Sequence, residues 1–229
     1  MINEELEEKC GYSFKDKDLL NRALKHSSWS FEHKEDPLLC NERLEFLGDA
    51  VLELASSVFL YREYPKKQEG ELSRLRAALV WEDALFEAAE ELSLGDYLLL
   101  GRGEEQCGGR GKKSLLSDAF EALIGAIYLD GGYAPAEAFI RRFCLKDVER
   151  HSRNHDCKSA LQELTQKKNG HLPSYRLVAE KGPDHSKEFV VEVLLDGRVL
   201  GSGSGNSRKT AEKEAAKSAL ETLKRKECI

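Results

Sequence analysis

The chain has no long apolar run, no signal-peptide pattern and no paired-cysteine motif, and each absence excludes a class of protein. A membrane-spanning helix needs about 18 or more consecutive apolar residues, which no segment approaches. Residues 1–5 are acidic where a secretory signal would be basic and then apolar, so we expect no signal peptide. The six cysteines are scattered without a CxxC pair, which disfavours a disulfide framework or a zinc knuckle and fits a reducing cytosol. We therefore expect a soluble, cytoplasmic protein.

Two common kinds of catalytic motif are also missing. The sequence has no GxxxxGKS loop that would bind nucleotide phosphates. It has no Ser-His-Asp or Cys-His arrangement of the kind that supports covalent catalysis. Nucleotide hydrolysis and a covalent enzyme intermediate are therefore disfavoured. Separately, 41% of the residues are hydrophobic, which is enough for a buried core.

The net charge of −6 hides an asymmetry along the chain. Residues 1–155 contain 21 Lys and Arg against 30 Asp and Glu, whereas residues 156–226 contain 14 against 10. An acidic part followed by a basic part suits a metal-binding catalytic half and a half that binds a polyanion. Local basic charge matters more than the total here, because phosphate contacts dominate affinity for nucleic acid.

The periodicity predicts two domains of different class, an all-α domain at 1–150 and a small α+β domain at 157–229, joined by a polar linker at 151–156. No period-two alternation is sustained in the first domain. In the second, a helix at 158–168 precedes three apolar strands and a last helix from Ser207, in the order α-β-β-β-α. Asp196-Gly197 lies between two of the apolar runs and predicts a two-residue hairpin.

Four further expectations concern the helical domain. The dipeptide Asp36-Pro37 predicts a helix start, with the helix running to about Arg62. Residues 72–92 contain no Gly or Pro and predict one long helix, and residues 135–148 predict the last one. The segment 101–111, rich in glycine and charge, predicts a mobile loop.

Three carboxylates, those of Glu42, Glu45 and Asp49, are spaced by three and four residues and so lie on one helical face. Glu53 extends this face by one turn, and no basic residue shares it. The opposite, apolar face is expected to be buried; it consists of Leu44, Leu47, Val51 and Leu54. Unit charges about 4 Å apart repel by roughly 4 kcal/mol near a protein surface, so the pattern indicates a bound cation.

A second pair, Asp118 and Glu121, is also one helical turn apart. Small residues beside this pair, Ala122 and Gly125, would let a neighbouring helix approach closely. Two such helices side by side would line one cleft with carboxylates, which are ligands suited to Mg²⁺ or Mn²⁺ rather than zinc. The alternative is a pair of amphipathic helices with acidic solvent faces.

The last helix begins with Arg208 and Lys209 and continues with Lys213 and Lys217 on one side. Its N-terminus offers unpaired backbone N–H groups and the positive end of the helix dipole, so phosphate groups would bind there. The alternative is that these lysines only increase solubility.

Ordered motifs over nearly the whole chain resemble those of the bacterial ribonuclease III family. The first, at 41–51, begins NERLEFLGD, and the second, at 116–131, begins LSDAFEALIG, with QEGELSRLR at 68–76 and GRGEE at 101–105 between them. Residues 160–163, 182–187 and 203–212 resemble the three RNA-contacting regions of double-stranded-RNA-binding domains. Such domains read the shape of A-form RNA over about 16 base pairs rather than its sequence.

The resemblance implies a Mg²⁺-dependent endoribonuclease, with Mn²⁺ as a substitute, that cuts double-stranded RNA. Products would have 5′-phosphate and 3′-hydroxyl ends with short 3′ overhangs, and ribosomal-RNA precursors, messenger RNA and other structured RNAs would be substrates. The implied metal ligands are Glu45, Asp49, Asp118 and Glu121, of which Asp49 and Glu121 are also catalytic. Accessory cleft residues would be Glu42 and Glu69.

The same resemblance assigns contacts with RNA and with a second copy of the chain. Gln162 and Glu163 would meet 2′-hydroxyl groups, His185 would enter the neighbouring minor groove, and Arg208, Lys209 and Lys213 would bind phosphates. Phe46 would be a homodimer contact; the alternative is that it packs within its own monomer.

Two rival functions remain open from the sequence alone. One is a non-catalytic binder of duplex RNA on a nuclease scaffold, which the complete set of acids disfavours. The other is a dinuclear-iron helical bundle, which would need Glu-x-x-His pairs that Glu42, Glu45 and Glu121 lack.

Overall fold

A computed structural model describes residues 2–155, 157–182 and 187–227 of the chain. The chain divides into two compact units, Met1–His151 and Ser152–Ile229. The first unit is helical, as predicted, and the second has a three-stranded antiparallel sheet with flanking helices. Within these ranges, none of the helices has both the length and the apolar character that a bilayer crossing requires.

In its described residues, the first unit contains nine complete α-helices. These are α1 (Ile2–Cys10), α2 (Lys17–Ala23), α3 (Ser27–His33), α4 (Glu42–Glu63), α5 (Glu69–Leu79), α6 (Glu82–Glu91), α7 (Arg102–Gln106), α8 (Lys113–Gly131) and α9 (Tyr133–Phe143). The next helix, α10 (Val148–His155), includes the boundary between the units and most of the segment predicted as a linker.

Helix α8 is the centre of the first unit and packs against α2, α4, α6 and α9. Four apolar side chains of this helix are fully buried: Phe120, Leu123, Ile124 and Ile127. Near its C-terminus, Asp130 accepts hydrogen bonds from the backbone N–H groups of Lys15 and Asp16 at 2.9 and 2.8 Å. The α1–α2 connection is thereby attached to the central helix.

Three predicted boundaries in this unit are wrong. Asp36 does cap a helix start, but its carboxylate accepts from the Leu38 N–H at 2.9 Å and caps only a 3-10 turn at Pro37–Leu39. The single helix predicted at 72–92 is two helices, α5 and α6, because Trp81 is extended and α6 turns to bury its alanines against α8. The last helix ends at Phe143 instead of residue 148.

The predicted loop at 101–111 is also wrong, because the segment forms α7 and a 3-10 turn at Gly109–Gly111. The Arg110 guanidinium holds it in place by donating to the carbonyl oxygens of Gly95 and Leu98 at 2.8 and 3.1 Å. A glycine-rich composition therefore accompanies regular helical turns in this segment.

The second unit has the predicted element order. It consists of α11 (Cys157–Asn169), β1 (Ser174–Lys181), β2 (Glu188–Leu195), β3 (Arg198–Gly205) and α12 (Arg208–Glu227). Asp196 and Gly197 have φ values of 51° and 76°, the positive angles of the predicted two-residue hairpin. Helix α12 lies so close to β3 that a Cβ on Gly203 would be 2.3 Å from the Ala215 nitrogen. This packing leaves the other side of α12 free to carry its charged residues.

Candidate active site

Helices α4 and α8 cross at two glycines, Gly48 and Gly125, with almost no space between their backbones. A Cβ on Gly48 would lie 1.8 Å from the carbonyl oxygen of Glu121, and a Cβ on Gly125 would lie 2.2 Å from that of Leu44. Real Cβ atoms do not approach other atoms this closely, so a residue larger than glycine at either position would separate the helices. The close approach predicted at Gly125 is therefore present, and Gly48 is the corresponding residue on α4.

The crossing brings three predicted ligands together from two segments far apart in sequence. One carboxylate oxygen from each of Glu45, Asp118 and Glu121 lies within 4.8 Å of the others. All three side chains are partly buried. Asp49, one turn beyond Glu45, is exposed, and its charge acts on both Glu45 and Glu121. The prediction that carboxylates from the two acidic helices come together is confirmed for these three residues.

Burial and mutual repulsion make the carboxylates hard to ionise. Burial, followed by the charges of Asp49, Glu45 and Asp118, raises the pKa of Glu121 to about 8. Burial also raises the pKa of Glu45, with smaller contributions from Asp118, Glu42 and Asp49. A divalent cation among these oxygens would relieve the repulsion that raises both pKa values.

Two cationic or titratable groups near Asp118 were missed from the sequence. Burial and the charge of Glu82 raise the pKa of Asp118, and His26 and Lys112 oppose that rise. His26 also caps α3, where its Nδ1 accepts from the Ser28 N–H at 3.2 Å. No local motif marks either residue. His26 comes near Asp118 only when distant segments pack, whereas Lys112 is the N-cap residue of α8, the helix that carries Asp118.

The donor set fits a small, hard divalent cation. Mg²⁺ binds oxygen at about 2.1 Å, so opposite ligands of one ion are about 4.2 Å apart. The oxygens of Glu45, Asp118 and Glu121 all lie within 4.8 Å of one another, which is compatible with ligands of one such ion. The group contains no histidine or cysteine, which is the composition expected for Mg²⁺ or Mn²⁺ rather than zinc.

The two accessory acids lie outside this group of three. Glu42 is exposed on the first turn of α4 and contributes to the raised pKa of Glu45. Glu69 is exposed at the start of α5, where it accepts from the Ser73 hydroxyl at 2.7 Å and lines a 490 Å³ cavity with Tyr61 and Arg76. Within the described monomer, Glu69 therefore does not belong to the group formed by Glu45, Asp118 and Glu121.

The acidic stripe of α4 ends before Glu53. That carboxylate pairs with the Arg76 guanidinium of α5 at 2.8 Å, a partner that the pattern of α4 could not show. Leu54 was predicted to be buried, and this is wrong because 54% of it is exposed.

Leu54 instead belongs to an exposed apolar stripe on α4. Phe46 is 81% exposed and Tyr61 is 75% exposed, and with Ala50 and Leu54 they lie within about 80° of one another around the helix. The alternative that Phe46 packs within its own monomer is therefore wrong. The stripe lies directly beside the acidic face of the same helix, since Phe46 is one turn from Glu42 and only about 40° from it around the helix.

The predicted RNA-binding residues that the structure describes lie on the two helices α11 and α12. Gln162 is exposed on α11, and Arg208 and Lys209 are exposed in the first turn of α12. Lys213, one turn further, is partly buried. His185 and the side chain of Glu163 lie outside the described residues.

Two protein-family models match the chain, one in each unit. A model described as ribonuclease-III-like matches residues 16–148, and the double-stranded RNA binding motif matches residues 157–223. Together they cover both the carboxylate site and the helices that carry the basic residues.

Full-length relatives and solved structures agree with these matches. The chain is 47% identical over 221 residues to ribonuclease 3 of Bacillus licheniformis, covering 96% of this chain and 89% of the relative. It is 48% identical over 220 residues to ribonuclease 3 of Bacillus cereus, covering 95% and 90%. A structure of the ribonuclease III nuclease domain from Campylobacter jejuni, described as flexible in a region involved in dimer formation, matches with 47% identity and a TM-score of 0.58. That match covers 62% of this chain and 96% of the other.

Proposed function

The chain belongs to the ribonuclease III family and is an endoribonuclease that acts on double-stranded RNA, and from this membership we propose a metal-dependent mechanism and its products. The proposed reaction is hydrolysis of a phosphodiester bond in each strand of the duplex. It leaves a 5′-phosphate, a 3′-hydroxyl and short 3′ overhangs. The observation that carries the proposal is the meeting of the Glu45, Asp118 and Glu121 carboxylates from two separate helices.

In this proposal Glu45, Asp118 and Glu121 hold Mg²⁺, with Mn²⁺ as a substitute, and Asp49 completes the ligand set. When bound, the metal supplies a more acidic water and positive charge that stabilises the attacking and leaving oxygens. The protein's part is to hold the carboxylates on two backbones fixed by the glycine crossing. Glu121 and Asp49 are the proposed catalytic residues. The raised pKa of Glu121 supports its assignment, because part of the rise comes from the negative charges of the other proposed ligands.

Glu42 and Glu69 have accessory roles in this proposal. Glu42 lies next to Glu45 along α4 and is exposed, which suits contact with RNA or with outer metal-bound water. Glu69 would take part in positioning a strand. Its exposure at the edge of a cavity lined by Tyr61, Ser73 and Arg76 supports a contact with RNA or with a second copy of the chain.

The second unit would bind the duplex through its two helices. Arg208, Lys209 and Lys213 would contact phosphates from α12, and Gln162 and Glu163 would reach 2′-hydroxyl groups from α11. His185 is the proposed contact in the neighbouring minor groove. The exposed basic first turn of α12 supports this assignment, and shape rather than base sequence would be read.

A homodimer would place two such sites in one valley, so that both strands are cut. The exposed stripe of Phe46, Ala50, Leu54 and Tyr61 supports the dimer, since large apolar side chains on one face mark an interaction surface. The stripe lies beside the acidic face of α4, and pairing through it would therefore bring two acidic faces near one another. The Campylobacter jejuni structure, described by its region of dimer formation, also supports the dimer.

Ribosomal-RNA precursors, messenger RNA and other structured RNAs are the proposed substrates, and the cytoplasm is the proposed location. Free thiols among the described cysteines support a reducing compartment. The rival function, a binder of duplex RNA without catalysis, is disfavoured because the sequence contains every acid of the proposed ligand set.

A long, perfectly paired RNA incubated with the protein, with and without Mg²⁺, tests the proposal. We expect cutting only with Mg²⁺, and products whose 5′ ends accept label from polynucleotide kinase only after phosphatase treatment. Binding without cutting in the presence of Mg²⁺ or Mn²⁺ would support the rival function. Products with 5′-hydroxyl ends would contradict the proposed chemistry.

A further inference from the structure

An acid lies on the surface proposed to bind phosphates. Glu212 is one turn into α12, below Arg208 and Lys209, and its side chain is only 16% exposed. Its carboxylate accepts from the Arg208 Nε at 3.1 Å and from the Lys158 Nζ of α11 at 2.6 Å. Negative charge beside a phosphate-binding group is expected to weaken binding, so its presence here calls for a separate explanation.

Lys158 links this acid to the sheet as well as to α11. Its ammonium group lies 4.8 Å from the ring centroid of Tyr175 on β1, within the range of a cation–π contact. Burial alone would raise the pKa of Glu212, but the hydrogen bonds from Lys158 and Arg208 outweigh burial and lower it. The carboxylate therefore stays charged and joins α11, α12 and, through Lys158, β1.

The residues held by Glu212 are close to both sets of proposed RNA contacts. Arg208 donates to Glu212 through Nε, so the two terminal nitrogens of its guanidinium take no part in that hydrogen bond. Lys158 precedes Gln162 by four residues, which is about one helical turn. The Glu212 carboxylate thus fixes Arg208, a proposed phosphate contact on α12. It also fixes the turn of α11 that precedes Gln162, the proposed 2′-hydroxyl contact.

We propose that Glu212 is a positioning residue for duplex RNA: it holds the Arg208 side chain and fixes α11 against α12 before RNA binds. The inference rests on the proposed RNA-binding role of those two helices. Holding flexible side chains in their bound arrangement raises affinity, because less conformational freedom is lost on binding. Electrostatics alone predicts the opposite sign, since removing an anion beside a phosphate site would tighten binding.

The opposite signs allow a direct test with Glu212→Gln and the matched variant Glu192→Gln. Glu192 pairs with Arg176 at 2.7 Å between β1 and β2, so this control also removes one ion-paired carboxylate from the same unit. Affinity for duplex RNA would be measured over a salt series in the full chain without divalent metal. We expect Glu212→Gln to bind about three- to tenfold more weakly at every salt concentration, with an unchanged salt slope, and the control to stay within about twofold of the parent.

Two further measurements separate positioning from a general loss of stability. If Glu212 acts through Lys158, the double variant Lys158→Gln, Glu212→Gln will lose no more affinity than the weaker-binding single variant. If the loss arose from partial unfolding, it would disappear well below the thermal midpoint, so binding is compared at 10 and 25 °C. We expect the same fold-loss at both temperatures.

Equal or tighter binding by Glu212→Gln would overturn the inference, and so would a loss that disappears at 10 °C. The variant Arg208→Ala, Lys209→Ala distinguishes this failure from failure of the proposed RNA surface. If that variant binds as the parent does, the surface is wrong and the positioning role falls with it. If it binds weakly while Glu212→Gln binds normally, only the positioning role is wrong.

Discussion

At the scale of single residues, Glu121 bears most of the proposed chemistry. Its backbone carbonyl faces Gly48 at the helix crossing, and its carboxylate meets those of Glu45 and Asp118. Of these three carboxylates it is the one whose pKa rises to about 8. A group that is difficult to ionise without a cation is well suited to bind one.

Replacing Glu121 with Gln should abolish cutting and preserve binding. The amide keeps the shape of the side chain but removes a charged ligand, and we expect a loss of more than about 100-fold in the rate of duplex cleavage. The control is Glu63→Gln, which removes an exposed acid of α4 about 27 Å along the helix from Glu45. Unchanged cutting by Glu121→Gln would contradict the assigned role.

The same residue predicts how stability depends on pH in metal-free protein. Its pKa is about 8 in the folded state against an ordinary value of 4.5, so folding favours the protonated form. The folded state therefore loses stability as the pH rises from about 4.5 through 8. The Glu121→Gln variant lacks this loss. As the pH rises over this range, its melting temperature should therefore increase relative to that of the parent.

Thermal melts in EDTA between pH 5 and 9 measure this difference. We expect the gap to widen by a few degrees, because about 1 kcal/mol shifts the melting temperature of a protein this size by roughly 2–4 °C. Added Mg²⁺ should narrow the gap again by stabilising the parent. A gap that stays constant across the pH range would show that the carboxylate ionises freely in the fold.

Single residues differ in how far the sequence predicts them. Spacing identifies the two acidic helix faces that contain Glu45, Asp118 and Glu121, whereas their selection as metal ligands follows from the family resemblance. Spacing cannot identify His26 as a neighbour of Asp118, since that electrostatic interaction joins separate segments, and no motif marks Lys112 at the N-cap of the same helix. Leu54 is misassigned for a related reason, because a residue at the edge of an apolar face can turn toward the core or toward an exposed stripe.

At the scale of elements, the crossing of α4 and α8 determines whether the site exists. Gly48→Ala places a methyl group 1.8 Å from a backbone oxygen that cannot move away alone. We expect a loss of about 3 kcal/mol or more in the free energy of unfolding, since overpacking usually costs about 1–3 kcal/mol where side chains can adjust. Cleavage should fall with it, because the two acidic helices are pushed apart.

Gly70→Ala is the matched control, since a Cβ at that helical glycine of α5 meets nothing within 4 Å. Chemical denaturation and duplex cleavage would be measured for both variants. Parent-like stability and cleavage in Gly48→Ala would mean that the helices do not depend on this close approach.

The sequence predicts which elements exist better than where they end. The 72–92 segment has the composition of one helix, and the break at Trp81 follows from packing of α6 on α8. Likewise the glycines of 101–111 suggest a loop, whereas Arg110 and close backbone contacts build ordered turns there. The hairpin at Asp196-Gly197 is predicted correctly because its positive φ angles are a local requirement.

At the scale of the whole molecule, the exposed stripe on α4 predicts self-association. Phe46→Glu places a charge at its most exposed aromatic residue, and burying that charge against a second copy would be costly. We expect sedimentation equilibrium to give a monomer for this variant and a dimer for the parent. Leu172→Glu is the control, because it changes an exposed apolar residue of the other unit. An unchanged dimer in Phe46→Glu would place the interface elsewhere.

The uneven distribution of charge along the chain predicts that the two units have different functions, metal binding in the first and RNA binding in the second. Acids in the first unit form the carboxylate site. In the second unit, basic residues occupy the first turn of α12, the helix proposed to bind phosphates. The sequence pattern alone does not reveal that Glu212 bonds to both Arg208 and Lys158, because Lys158 lies on another helix.

The central claim is that Glu45, Asp118 and Glu121 bind one divalent ion, and a crystal structure of the chain with Mn²⁺ tests it most directly. The account predicts an anomalous peak bonded to a carboxylate oxygen of each of these residues at roughly the 2.1 Å distance of small divalent ions from oxygen. A peak elsewhere, or no peak at these residues in protein that cuts duplex RNA with Mn²⁺, would contradict it.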